Sequence, residues 1–448
     1  ALTGKLLANG LQVDAGNSAN LATVQAGGAF GVTANGNAGG GDVAFNGNAA
    51  ALGAADVRAS RDVVVNGTLA GGAQVALAAQ RNVIVGGSGT VQAVGDLAMT
   101  AASGSVASAG TLNGAGALTV QGAQDVSLTG ATTVTGDVSA TAGRDLVIGG
   151  ALAGQGVATL TAARDIVAGG TSGFVQDTTL SAGRDIGVTG AFQGRAVSMT
   201  AAGSIALNDV QANAGLRLAT RTGDVSIGGN VNSLTNGTID AARDVIVNGT
   251  LRTASGLVIG GGRNTSIGGT VQSNGDVALT NAAGSLTSTG NIQSGGNLSV
   301  NAAQSVDLGT HSTSSLGDLT VDAGRDLTMN GSVVAQGNGT LNAGGAIGGA
   351  AAVAFGLAAN LGSGGDTTLT GSLRGGNVRT TAGGSATLHD VQAASALALN
   401  AANDLSVTGA VTGGADVALA AARNIDISGS LQSAGNTSLL ATGGSIGS

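Results

Sequence analysis

Proline is absent from this chain of 448 residues. A residue without an N–H cannot join a ladder hydrogen-bonded on both sides, so a chain built of such ladders has little place for it. Cysteine is absent too, which excludes disulfides and thiolate metal sites and leaves the redox compartment open. There is no Trp and no Tyr, and the five Phe (Phe30, Phe45, Phe174, Phe192 and Phe355) are too few for a platform on which sugars could stack. They are expected in the core. No acidic residue is Glu and the one Lys is Lys5, so the charged helix formers are missing while 83 Gly are present. Charge is sparse, and the net of −8 argues against general binding to nucleic acid or to anionic membranes. The opening ALTGKLLANG lacks the charged start and continuous apolar core of a signal peptide. Since the chain starts and stops in mid-repeat, it is expected to be an interior piece of something longer. One uncharged run, 344–362, has about the length of a membrane span. Much of it is Ala and Gly, and it keeps the repeat described next, so it reads as a coil of small residues rather than a span.

What is present is repetition. AARDVIVNGTLRTASGLVI (241–259) returns as RDVVVNGTLAGGAQVALAA (61–79), RDLVIGGALAGQGVATLTA (144–162) and RNIDISGSLQSAGNTSLLA (423–441). Taking the first apolar residue after the charged pair as anchor gives Val63, Val83, Val106, Val126, Leu146, Ile166, Ile186, Ile205, Val225 and Val245. It continues through Thr265, Leu286, Val306, Leu327, Ile347, Thr367, Ala386, Leu405, Ile425 and Ile446, with most steps 19 to 21 residues. A fixed period of this length means a solenoid. Within each period three short segments alternate apolar with small polar residues, the pattern of strands with one buried face. The expected fold is all-β: a right-handed parallel β-helix of about 20-residue coils.

A longer order lies above the coil. GTVQAVGDLAMTAASGSVASAGTL (89–112) reads again as GTVQSNGDVALTNAAGSLTSTGNI (269–292), so 61–241 and 243–422 look like two copies of one block. Residues 1–60 are the least regular, with Val43 the one clear anchor. No linker interrupts the chain, and 1–448 is expected to be one continuous shaft.

The A-[AG]-R-[DN]-[VLI] opening followed by N-G-T-L resembles the central repeats of filamentous haemagglutinins of the Bordetella type, and the likeness covers nearly the whole chain. These are adhesins exported through an outer-membrane transporter by two-partner secretion. The resemblance implies the shaft of a secreted, cell-surface bacterial adhesin, a virulence factor whose partners are host-cell receptors and sulphated polysaccharides such as heparin. The family's export domain carries an N-P-N-G/L type motif, which a chain without Pro cannot contain. No Arg-Gly-Asp triplet occurs; Gly-Arg-Asp does, as at Gly143-Arg144-Asp145. Two alternatives stay open: a polysaccharide-processing β-helix enzyme, and the stalk of a contact-dependent toxin delivery protein.

The chemistry-bearing residues are few. Arg61, Arg81, Arg144, Arg164, Arg184, Arg243, Arg263, Arg325 and Arg423 share one coil position, each followed by Asp or Asn. Stacked guanidinium groups repel, and nearby carboxylates lower that repulsion. The column reads either as a comb for sulphate or carboxylate sugars or as a solvated structural corner, and the second is preferred. Arg195, Arg217 and Arg221 are a second candidate for an anionic glycan, because 181 positions later stand Gly376, Ala398 and Ala402 and the coil does not require a basic residue there. Stacked Asp145, Asp165 and Asp185 could imitate a catalytic pair, but they recur at one turn position as structural residues do. His311 and His389 stand alone, and no calcium-binding glycine–aspartate array is present. No enzyme activity, cofactor or metal is expected, and no membrane-spanning segment.

Overall fold

A computed structural model describes residues 2–36 and 40–448 of the chain. Every element among them is a strand. Close contacts divide the chain into two compact units, Ala1–Arg221 and Thr222–Ser448, and each is a parallel β-solenoid. The irregular stretch 1–60 includes residues 1 and 37–39, which lie outside the described residues.

One coil of the first unit shows the plan. A long strand, Val138–Ala142, is followed by a corner and the short strand Leu146–Ile148. A second corner leads to Leu152–Gly154, and a third to the next long strand, Ala158–Ala162. The second unit repeats it with Gly237–Ala241, Val245–Val247, Thr250–Thr253 and Leu257–Gly261. Each unit stacks eleven such long strands. The three faces of the coil are called here the long, anchor and third faces.

Within each unit the strands pair in parallel with their equivalents one coil before and after, in register apart from shifts between Leu2 and Lys5, Val188 and Ala191, and Leu369 and Ser372. The anchors of the sequence reading are paired residue to residue. Val43 lies beside Val63, Val63 beside Val83, and so on through Val106, Val126, Leu146, Ile166, Ile186 and Ile205. In the second unit the run from Val225 through Thr265 and Thr367 to Ile446 is likewise unbroken. Identical positions therefore stand about 4.8 Å apart along each unit. Leu146, Ile166 and Val245 are fully buried, as the alternation demands, because neighbours in a strand point to opposite faces.

All five Phe are buried. Phe174 and Phe192, one coil apart on the third face, have ring centroids 5.9 Å apart, and Phe30 meets Phe45 at 6.0 Å. Phe355 occupies the place in the second unit that Phe174 holds in the first. The uncharged run 344–362 contributes ordinary strands, Ile347–Gly349, Ala352–Phe355 and Ala358–Ser363. Among the described residues no helix is long and apolar enough to cross a membrane.

Polar anchors are accommodated individually. The Thr265 hydroxyl donates to Asn281 Oδ1 at 2.7 Å, and Thr367 Oγ1 lies 2.8 Å from Ser363 Oγ. Four other buried hydroxyls, on Thr132, Ser172, Thr313 and Thr380, have no hydrogen-bond partner. At the corner between anchor and third strands the recurring Gly has a steric cause. A Cβ on Gly150 would stand 2.3 Å from the Gly130 carbonyl oxygen, and one on Gly170 2.0 Å from that of Gly150. Side chains there would hold successive coils apart.

Candidate functional site

The charged column occupies the corner between the long and anchor strands. Eight of the nine Arg, all but Arg325, reach back to the Asp of the preceding coil. Arg144 Nε donates to Asp125 Oδ1 at 2.8 Å, Arg164 Nε to Asp145 at 2.7 Å and Arg184 Nε to Asp165 at 2.7 Å; in each pair a second guanidinium nitrogen grips Oδ2. Arg61 on Asp42, Arg81 on Asp62 and Arg263 on Asp244 have the same two-pronged geometry. Arg423 holds Asp404 through one nitrogen, and Arg243 stands 3.6 Å from Asp224. The coil before Arg325 carries Ser305 where the others carry Asp, and Arg325 makes no ion pair among the described residues.

The sequence reading assigned the offsetting charge to the Asp that follows each Arg. Those contacts are secondary: Arg164 Nε is 3.9 Å from Asp165, and Arg184 Nε 3.5 Å from Asp185. The corner turns the guanidinium along the stack instead of along the chain.

Each carboxylate has a second task. Asp125 Oδ1 accepts the backbone N–H of Asp145 at 3.2 Å, Asp145 that of Asp165 at 3.3 Å, and Asp165 that of Asp185 at 3.2 Å. Asn does the same, since Asn82 accepts from Ser105 N and Asn264 from Ser285 N, both at 3.0 Å. This explains why Asp or Asn follows each Arg: both carry an oxygen short enough to satisfy the backbone donor one coil on. The guanidinium one coil on holds Asp62, Asp125, Asp145, Asp165 and Asp404 below the usual carboxylate range, and Asp244 is lowered to about 2. Such groups stay ionised at neutral pH. A general acid needs the opposite shift.

A parallel ladder at the entry to the long strands was not foreseen. Ala117 N donates to Asp96 Oδ1 and Val157 N to Asp137 Oδ1, both at 2.8 Å. In the second unit the chain of acceptors runs Asp276, Asn297, Asp318, Asn338. The recurrence of Gly-Asp at period 20 was the available signal.

Of the second candidate set, Arg195 is held by Asp177 at 2.8 Å. Arg217 lies exposed on the outer side of the long strand Leu216–Thr220, paired with Ser198, and Arg221 follows the end of that strand. The fold places Arg195 and Arg217 in adjacent coils but three residues apart in register. Arg217 and Arg221 are the two of the set without a close carboxylate among the described residues. His389 Nδ1 lies 3.0 Å from Thr408 Oγ1, and no group of three or more metal-binding side chains forms among the described residues.

No protein-family model matches the chain, and neither does any curated protein or solved structure.

Proposed function

We propose that the chain is a length of rigid shaft from a secreted, surface-displayed bacterial adhesin of the filamentous haemagglutinin type. The observation that carries the shaft is the coil-to-coil bonding of the backbone and of the charged corners. Strand ladders, Arg–Asp pairs and Asp/Asn acceptors all link one coil to the next, and what such a stack supplies is stiffness over distance. The adhesive role rests on the Arg-Asp and Asn-Gly-Thr-Leu repeats. Export would require an outer-membrane transporter. Contact with sulphated polysaccharides on host cells is assigned to Arg217 and Arg221, with Arg195 recruited when a sulphate displaces Asp177. The Arg–Asp column is a structural element, because its bidentate edges are already occupied.

Two measurements separate the parts of this reading. Coils about 4.8 Å apart make each eleven-coil unit about 50 Å long. Solution scattering of a shaft is expected to give a radius of gyration above the value of about 22 Å that a compact particle of this chain length would have, and a value near 22 Å would overturn the shaft. On a heparin column, changing Arg195, Arg217 and Arg221 together to Ala is expected to bring elution to lower salt. The same change at Arg144, Arg164 and Arg184 should do less. Unchanged elution of the first variant, or no retention of the parent, removes the glycan site and leaves the shaft standing.

A further inference from the structure

On the long face of the first unit, four consecutive coils present the same outward pair. They are Ser139 and Thr141, Thr159 and Thr161, Thr179 and Ser181, and Ser198 and Thr200, with Thr119 extending one file by a coil. The strands pair without a register shift. Thr119, Ser139, Thr159, Thr179 and Ser198 form one file, and Thr141, Thr161, Ser181 and Thr200 the other. The hydroxyls therefore lie on a two-dimensional grid, about 4.8 Å along the stack and about 6.7 Å across it. All nine side chains are exposed or half-exposed, and none is hydrogen-bonded to the protein among the described residues. No charged residue stands in either file across these coils. Branching at Cβ holds each Thr in few rotamers, so the grid is already ordered before anything binds.

The coil does not require this. The second unit is a near-copy, and at the equivalent places it carries Asp322 for Thr141, Asn342 for Thr161, Asn360 for Thr179, Gly362 for Ser181 and Arg379 for Ser198. Those strands pair as regularly as the ones in the first unit. Their side chains also bond to one another, as Asn342 does to Asp322 at 2.8 Å. In the first unit the hydroxyls are left open to solvent.

We propose that this uncharged hydroxyl grid on the first unit is a binding face for crystalline water, which would let the chain attach to ice. A ligand that repeats in two dimensions is the natural complement of a rigid array that does. Hydroxyls that can each donate and accept hold ordered first-shell waters, while the Thr methyls between them exclude disordered water. The two grid distances are close to the repeats of oxygen atoms on a prism face of hexagonal ice. A soluble sugar chain would be expected to use aromatic or charged contacts, and this face has neither.

The test is ice recrystallisation in a frozen sucrose solution, read with the purified chain, with serum albumin as control and with two variants. The first variant combines Thr141→Asp, Thr161→Asn and Ser198→Arg, substitutions taken from the second unit and therefore compatible with the coil. The second is Thr161→Tyr alone, which sets a bulky ring in the middle of the grid. The parent is expected to keep ice grains small and to shape growing crystals, and both variants to fall to the albumin background with unchanged unfolding midpoints. A parent indistinguishable from albumin overturns the proposal, as does either variant retaining the activity. Retention on crystalline cellulose without any effect on ice would overturn it too and assign the face to a polysaccharide.

Discussion

Asp244 accepts hydrogen bonds from Arg263 and from the backbone of Asn264, and its carboxyl is lowered from 3.8 to about 2. A carboxylate whose folded value is depressed contributes stability that is fully present above its unfolded value and is lost as pH falls through the folded one. The solenoid should therefore weaken between roughly pH 4 and pH 2, with Asp244 accounting for about 1–2 kcal/mol after solvent screening at its exposed Arg partner. Asp62, Asp125, Asp145 and Asp165 act in the same direction. Urea midpoints measured across that range should fall steeply for the parent and less for Asp244→Asn. The amide retains the backbone acceptor, as Asn82 and Asn264 do, but does not titrate. A second expectation concerns Thr313, buried without a partner between Ile292 and Val333. Thr313→Val keeps the shape and removes a desolvated hydroxyl, so it should raise stability by about 1 kcal/mol. An unchanged or lower urea midpoint would count against the burial of that hydroxyl.

Between strands, size is matched across coils. Phe355 on the third face lies over Gly339 of a long strand, where an added Cβ would stand 2.1 Å from the ring. Gly339→Ala is expected to destabilise by about 1–3 kcal/mol through overpacking. Combining it with Phe355→Leu should recover part of that loss, and a double-mutant cycle with no coupling would contradict the contact. This level was largely legible in the sequence. A period of 20 combined with alternation of period 2 sets both the partner of each strand and the face it buries, so Val126, Leu146 and Ile166 are paired as read. Side-chain partners at the corners were not legible. Asp145 is next to Arg144 in the chain, yet Arg144 bonds Asp125, because only the shape of the corner decides whether a guanidinium follows the strand or crosses to the neighbouring coil. The same limit hid Asp177 behind Arg195, since an isolated Arg in a sequence carries no sign of an acid eighteen places earlier. The hydroxyl grid was legible only in retrospect, as Thr and Ser also suit any exposed strand.

Among the described residues of each unit, strands pair with their own equivalents a coil away. Excising residues 145–164 would join Arg144 to Asp165, leave Arg144 on Asp125 and Arg184 on Asp165, and set Val126 beside Ile166. Such a protein is expected to fold cooperatively, with an unfolding midpoint like the parent's. Removing Val147 alone should be far worse, because a slip of one residue turns the rest of its strand inside out. Circular dichroism on heating distinguishes the two, and a coil deletion as damaging as the single-residue deletion would be contrary to this account. Length in such a protein is then a heritable quantity counted in whole coils. Unequal recombination between near-identical repeats can lengthen or shorten the molecule without redesigning any contact, and the doubled block in this chain has the form such an event would leave.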